Sequence, residues 1–390
     1  MVRAAPGGLD RLLARKEVVV ACGPGGVGKT TTAAALAAAV SALGGGRVLV
    51  LTVDPARRLA DALRLPRVDN EETRIPDEAF RDAGVRPKGE LWAAMLDTKA
   101  SWDALVRRHS RNRRDADAIL ANPLYRNITG RFARSHEYIA MERLYELHAE
   151  GRYDLLVVDT PPALEALDFV DAPQMMADFF SSRLLRWLTA PLRSRVLGVA
   201  SRPFSQIGDR ILGTQFLEDV GRFFLLLEGM HEGFVDRARQ VSALLRTEQT
   251  TFMIVTTPEA VPVKEAERFV DSLRSRSMHL GLLVANRVLP GELLDPGAGR
   301  VAEAFSERAE ELSDELSQVL GEGADADQVR LVIGEIGRNF ANLRLVALRQ
   351  AELLGELAAA HETTIRVPQL TGDVVDLAGL LEIGRHLYPG

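Results

Sequence analysis

The chain has 390 residues, of which 46% are hydrophobic and 26% charged, with a formal net charge of -6. This is the balance of a soluble globular protein, its acidic excess argues against nucleic acid as the main partner, and no uncharged apolar run approaches the roughly 18 residues of a membrane span. Cys22 is the only cysteine, so neither an internal disulfide nor a thiolate cluster can form within the chain. Met1 to Asp10 has no apolar signal core, and a cytoplasmic setting is the expectation.

In chain order, the apolar run Val18 to Ala21 predicts a strand buried on both faces, as in a parallel sheet. Gly23, Gly28, Lys29 and Thr30 then fit G-x-x-x-x-G-K-[ST], the phosphate-binding loop. Glycines let consecutive backbone N–H groups turn toward an anion with no side chain in the way. A lysine there reaches the β- and γ-phosphates and a threonine hydroxyl serves Mg²⁺. The alanine-rich helix from Thr31 to Leu43 follows at once and aims its N-terminal dipole at the anion. A second strand, Arg47 to Asp54, ends on Asp-Pro and leads into a short helix reaching Leu63. Pro66 to Gly89 is polar and proline-bearing, and reads as a surface excursion. Leu91 to Asp97 predicts a third strand, and Ser101 to Ala149 is largely helical, broken at Asn122-Pro123. Its arginines Arg107, Arg108, Arg111, Arg113 and Arg114 read as a solvated helix face.

Tyr153 to Asp159 is the next apolar strand, and Asp171 to Leu245 reads as successive helices. Strands at Thr251 to Thr257 and Leu280 to Asn286 flank a helix near Val263 to Ser275. A loop from Gly291 to Gly299 precedes helices at Val301 to Val319 and Asp327 to His361. A last strand, Thr364 to Val367, and a short helix close the chain. Strands alternating with helices predict an α/β fold: a doubly wound, mostly parallel sheet with a phosphate loop and a helical insertion. The expected organisation is a single domain over 1–390 that contains the insertion at 171–247 and an additional helical segment at 100–150.

Two carboxylates close apolar strands on the ligand edge of such a sheet, Asp54 and Asp159. Either alone suits a helix N-cap; the pair below a phosphate loop suits one metal-side and one water-positioning role. In this context Gly-Pro-Gly-Gly-Val-Gly-Lys-Thr-Thr resembles the deviant phosphate loop of the SIMIBI-class ATPases. Thr52-Val-Asp-Pro-Ala-Arg-Arg-Leu-Ala-Asp61 is similar to switch I of the arsenical pump-driving and tail-anchored protein targeting ATPases within that class. Asp159-Thr-Pro-Pro162 is similar to their switch II. Glu259 sits in a segment resembling their activation loop, and Asn286, Pro368 and Gln369 fall in segments resembling their adenine-binding elements.

The resemblance implies an ATPase that uses ATP, ADP and Mg²⁺. Gly23, Pro24, Gly25, Gly26, Val27, Gly28, Lys29, Thr30 and Thr31 would hold the phosphates, and Glu259, Asn286, Pro368 and Gln369 the rest of the nucleotide. Thr30 would ligate the metal, Asp159 and Asp54 would support it through its bound water, and Asp54, with Lys29, would serve hydrolysis. An ordinary aspartate, with a pKa of about 3.9, is a poor base, so Asp54 is better described as orienting water. A dimer is also implied, as a homodimer or with a lysine-bearing homologue.

Three positions depart from the family pattern. Pro24 stands where the class carries a lysine that reaches a partner's phosphates, which implies slow hydrolysis unless another chain supplies the cation. Switch II continues as Ala163-Leu-Glu-Ala-Leu-Asp168 without the usual Thr-Gly-His. The metal-binding cysteines are missing, which argues against zinc, an iron–sulfur cluster and thiolate capture of arsenite. In the insertion, Met176, Phe180, Phe223 and Leu227 belong to apolar stripes that suit either a core or a groove for a hydrophobic protein client or membrane partner. The alternative function is a partition- or positioning-type ATPase acting on nucleic acid or membrane. It would call for a basic patch or a terminal amphipathic helix, and the C-terminus is too short and mixed for the latter. A ligase or kinase on the same fold would call for a polar substrate pocket.

Overall fold

The computed structural model describes residues 12–53 except 14, 58–65 except 64, 70–123, 125, 135–160, 178, 223, 225, 226, 230–320 (residues 66–69 thus excluded), 325–359, 361 and 363–389. Asp54 lies outside the described residues, as do Met176, Phe180, Leu227 and most of the 171–247 insertion.

Among the described residues, eight strands form one sheet: β1 Val18–Cys22, β2 Arg47–Thr52, β3 Thr73–Arg74, β4 Glu90–Met95, β5 Leu155–Asp159, β6 Thr250–Thr256, β7 Leu280–Val288 and β8 Thr364–Pro368. Their spatial order is β3-β4-β2-β5-β1-β6-β7-β8. Only β3 runs antiparallel, at the edge against β4. The fold is therefore α/β with a mostly parallel sheet, as the alternation of elements predicts.

Sheet position follows from side-chain content. β1, β5 and β6 are buried at every residue, as expected of apolar runs with no polar face to give to water. Alternate residues of β1 feed two separate cores. Val18, Val20 and Cys22 join Leu49, Val158, Tyr138 and Phe269 on one side. Val19 and Ala21 join Leu36, Val157 and Leu380 on the other. The second core is built on α1 (Lys29–Ala39) and on the C-terminal helix α12 (Leu377–Leu387). The alanines of α1 leave room for both sheet and helix, since a methyl is all that fits between close-packed layers.

The polar stretch 66–89 departs from expectation. It contains β3 and a short helix, Asp77–Asp82, and it buries Ile75 and Phe80 to 1% exposure each. Two well-placed apolar residues were enough to turn a charged segment into an edge cover for the sheet. The described residues of the 100–150 segment include the helices Thr98–His109 (α4), Arg113–Ala121 (α5) and Ser135–Glu150 (α6), after α2 (Arg58–Ala62) and α3 (the 77–82 helix). Asp97, read from sequence as the end of a strand, instead caps α4 by accepting from the Ala100 N–H.

The last helix before β6, α7 (His231–Leu244), packs on α6. Arg237 pairs with the buried Glu142 at 2.9 Å and lies 4.6 Å from the Tyr145 ring centroid. The C-terminal third holds α8 (Ala260–Ser275), α9 (Pro296–Glu307), α10 (Ala309–Leu320) and the 34-residue α11 (Ala326–Ala359). The expected 291–299 loop is instead a 3₁₀ turn, Gly291–Leu294, followed by α9, whose N-terminus Asp295 caps. Pro296 at the first helical position, read from sequence as a loop residue, is a helix start. We expect Phe80→Ala to lower the unfolding free energy by about 3 kcal/mol, the usual result of emptying a buried ring site. Chemical denaturation measures it, and a neutral result would remove 66–89 from the core.

Candidate functional site

The candidate site lies on the edge where the parallel strands end. β1 finishes at Cys22, and six residues separate it from Lys29, the first residue of α1. The loop can be this short because its glycines adopt backbone forms closed to other residues. Gly23 has φ 145° and is pressed against β6, where a Cβ would run into the Val255 carbonyl oxygen. Gly28 has φ 91°, and a Cβ there would meet the Asn286 amide nitrogen at 2.5 Å. Gly25 and Gly26 form the exposed crest, whereas Pro24 and Val27 are buried.

Lys29 is only 7% exposed, and its ammonium donates to the Pro24 carbonyl at 2.8 Å across the loop. No side chain caps α1, and no acidic residue lies in its first turn. A folded-in cation beside an uncapped helix N-terminus is a donor set for an oxyanion. Below it, one oxygen of Asp159 accepts from the Thr30 hydroxyl at 2.7 Å and from the Thr52 hydroxyl at 2.9 Å. Asp159 is 1% exposed. Val53 donates its N–H to the Asp159 carbonyl at 3.1 Å, so β2 and β5 end side by side and Asp54 is the next residue in the chain. Thr160 donates through its hydroxyl to the Ala21 carbonyl at 2.7 Å, tying the residue after β5 to the end of β1.

Cys22, at the mouth of this loop, is fully buried, and burial pushes its thiol up to about 12. It is a packing residue with no thiolate character, as its position in a buried strand predicts.

The remaining candidates follow the strand ends outward. Glu259, three residues beyond β6, is exposed at the start of α8, and no side chain caps that helix. Asn286 on β7 is 7% exposed and donates to the Val27 carbonyl at 2.8 Å. Its other amide atom accepts from the Arg287 N–H at 3.0 Å. Arg287 itself has φ 59°, where the β7–β8 register shifts. A non-glycine residue in this region is uncommon and marks a fixed local geometry.

β7 lies two strands from β1, about 10 Å at the usual spacing, and β8 one strand further. There Pro368 lines a cavity of about 530 Å³ with Val288, Leu289, Ala351 and Leu354. Arg366, Gln350, Glu292 and His386 add polar groups to its walls. The volume and mixed lining are those of a small-molecule pocket. Gln369 donates its N–H to the Val288 carbonyl at 2.9 Å and closes the strand end. The structure thus brings Lys29, Thr30, Asp159 and Asn286 together at the loop, and places Glu259 at the start of α8 just beyond β6 and Pro368 at the end of β8.

Sequence reading missed Thr52, Gln350 and Arg366. Thr52 closes an apolar strand as Thr256 closes β6, and only its bond to Asp159 sets it apart. Gln350, set among the charged residues Arg349 and Glu352, gave no signal either, and its side chain accepts from the Leu289 N–H at 3.1 Å. We expect Gly23→Ala to destabilise the fold by about 2 kcal/mol or more, because the strand pair β1–β6 must part to admit a methyl. An unchanged denaturation midpoint would show that the loop has slack.

Comparisons with known proteins add an independent line. The chain is 24% identical over 297 residues to putative arsenical pump-driving ATPase 1 of Aquifex aeolicus, covering 71% of this chain and 65% of that protein. It is 24% identical over 300 residues to an ATPase ASNA1 homolog of Entamoeba dispar, covering 74% and 82%. It is 25% identical over 300 residues to ATPase ARSA2 of Chlamydomonas reinhardtii, covering 76% and 74%. The match thus spans about two thirds of the length of the pump-driving relative and more of the other two. The family model described as anion-transporting ATPase matches residues 16–321, and with that much of its length matched the chain belongs to this family.

Proposed function

We propose that the chain binds Mg-ATP along the strand-end edge, hydrolyses it, and uses the nucleotide state to control a helical, apolar surface for a partner, acting as a dimer. The observation that carries the reading is the Thr30–Asp159–Thr52 cluster beneath a phosphate-type loop that already holds the Lys29 ammonium. The triphosphate would lie over residues 23 to 31, exchanging the Pro24 carbonyl for phosphate oxygens at Lys29. The base and ribose would extend past Asn286 and Glu259 toward Pro368 and Gln369.

The donor set fits a magnesium ion: Thr30 offers a hydroxyl, and the Asp159 carboxylate behind it can hold a bound water. When bound, the ion would neutralise charge developing on the β- and γ-phosphates. The chain's own part is to fix that hydroxyl, to keep Lys29 ready, and to orient the attacking water through Asp54. A burial-locked Cys22 as the sole cysteine favours a driving or targeting role over thiolate capture of arsenite, within the range that the relatives' names suggest.

The experiment pairs two variants. Lys29→Ala should weaken ATP binding at least about tenfold, the usual loss of a charge-assisted contact. Asp54→Asn should keep ATP bound while turnover falls by about 10² or more, as for loss of a positioned water-activating group. Calorimetry and phosphate release measure both. Unchanged affinity and turnover in Lys29→Ala would overturn the reading, and loss of binding in folded Asp54→Asn would give Asp54 a structural role.

Pro24 generates the other prediction. A proline has no cation to offer, and groups supplied in trans are worth about 10³ to 10⁵ in rate. The chain alone should turn over slowly. Titrating in a Pro24→Lys, Asp54→Asn chain, unable to hydrolyse but carrying the lysine, should raise turnover at least about tenfold. Brisk turnover by the chain alone, linear in protein on dilution, would show that it needs no such group.

A further inference from the structure

The long helix α11 carries two largely apolar seams, and the fold covers one of them far more than the other. The inner seam is Ile333, Gly337, Phe340, Arg344, Ala347, Ala351 and Leu354, in steps of four and three. It packs toward α9, α10 and the cavity, and Ile333, Ala347 and Leu354 are almost fully buried. The outer seam has the same rhythm: Val329, Val332, Ile336, Asn339, Leu343, Val346, Gln350, Leu353 and Leu357. Steps of three and four repeating every seven residues are the pattern of a helix that faces another helix.

At its lower end the outer seam has such a cover within this chain. Leu353 and Leu357 pack against Val263 of α8 and Leu283 of β7, and Gln350 accepts from Leu289. Above that point the cover stops while the pattern continues. Val332 is 58% exposed, Ile336 49%, Leu343 42% and Val346 50%. Leu331 and Leu345, both more than 60% exposed, widen the surface on one flank. From Val332 to Val346 the exposed seam runs about 21 Å, broken in the middle only by the exposed Asn339.

We infer that this seam is a self-association surface, on which α11 of a second copy of this chain packs antiparallel about a two-fold axis near residue 341. The seam is complementary to itself in that orientation. Ile336 faces Val346 of the second copy and Val346 faces its Ile336, as an isologous contact requires. The charges agree. Glu335 and Arg349 border the seam on the same side at opposite ends, so antiparallel pairing sets each against the other's counterpart, twice. Parallel pairing would set Glu335 against the inner-seam side, beside the half-buried Phe340. Glu335 has an exposed ion pair with Arg338 at 2.7 Å, a contact weak enough to be shared. Asn339, the one polar residue of the uncovered stretch, falls beside the axis. There the two amides lie one helical turn apart, and a single buried amide fixes register. Alternating charges and a central amide suit a protein helix better than a lipid surface. The surface stands apart from the nucleotide reading: it needs neither ATP nor a lysine in trans.

The test uses the full chain without nucleotide, in sedimentation equilibrium over a concentration series. Wild type should be a dimer and Ile336→Glu/Leu343→Glu a monomer, with the melting transition confirming that the variant folds. Glu335→Arg should weaken the dimer about fivefold and Glu335→Arg/Arg349→Glu should restore it, a check that leaves the apolar seam intact. Mixing Ile336→Cys with Val346→Cys chains under mild oxidation should give mainly the mixed disulfide, since Cys22 is buried and out of reach. A monomeric wild type at every concentration, a dimer that survives both variants, or self-disulfides of Ile336→Cys alone would each overturn the inference. A monomer that instead sediments with phosphatidylserine vesicles through the same residues would assign the seam to lipid and overturn it equally.

Discussion

The shared oxygen of Asp159 is the point on which the candidate site depends. A carboxylate that is 1% exposed must be satisfied from within, because leaving it unpaired in the core is strongly unfavourable. Its two hydroxyl donors come from Thr52 on β2 and from Thr30, the second residue of α1. One group therefore ties two neighbouring strands to the start of the helix. With α1 anchored there and β1 fixed between β5 and β6, the six intervening residues have little freedom. They can close only with glycine at positions 23 and 28, where the backbone of Val255 and the amide of Asn286 stand in the way of a side chain. The loop's shape follows from what surrounds it as much as from its own residues.

The parts of the fold that were legible in the sequence were those written as uninterrupted patterns. Val18–Ala21, Tyr153–Asp159 and Thr251–Thr257 carry too many consecutive apolar residues for any place but the middle of a parallel sheet, and that is where they lie. What escaped was information carried by few residues. Ile75 and Phe80 sit among charges, and only the finished sheet edge shows that they have somewhere to go. Asp295 and Pro296 are a helix start that reads as a loop when glycines follow on both sides. Arg287 is left-handed because the strand pairing shifts beside it, a tertiary cause with no local signature. In the candidate site, the loop and Asp159 could be read from their motifs, and the Thr52 donor could not, since a strand-end threonine is ordinary until its partner is known.

α11 shows why the remaining pattern was hard to read. Two seams with the same seven-residue rhythm, offset by one residue, merge in the sequence into one broad apolar face bordered by charges. Such a face reads as core. Only the packing separates the seam that the fold consumes from the one that it leaves open. The separation is sharpest near the middle of the helix, where Val346 is half exposed and its neighbour Ala347 is 3% exposed.

That adjacency also joins the two ends of the molecule's chemistry. Ala347, Gln350, Ala351 and Leu354 form one wall of the cavity beyond Pro368, and Val346 and Leu343 belong to the open seam one turn above. A rigid helix cannot shift one face without carrying the other. If a ligand filling that cavity moved or stiffened α11, the geometry offered to a second copy would change with it. By the reciprocity of linked equilibria, pairing along the seam would alter the affinity of the cavity by the same factor. The coupling would need no dedicated relay, because a single continuous backbone, hydrogen-bonded turn by turn through 34 residues, already spans both places.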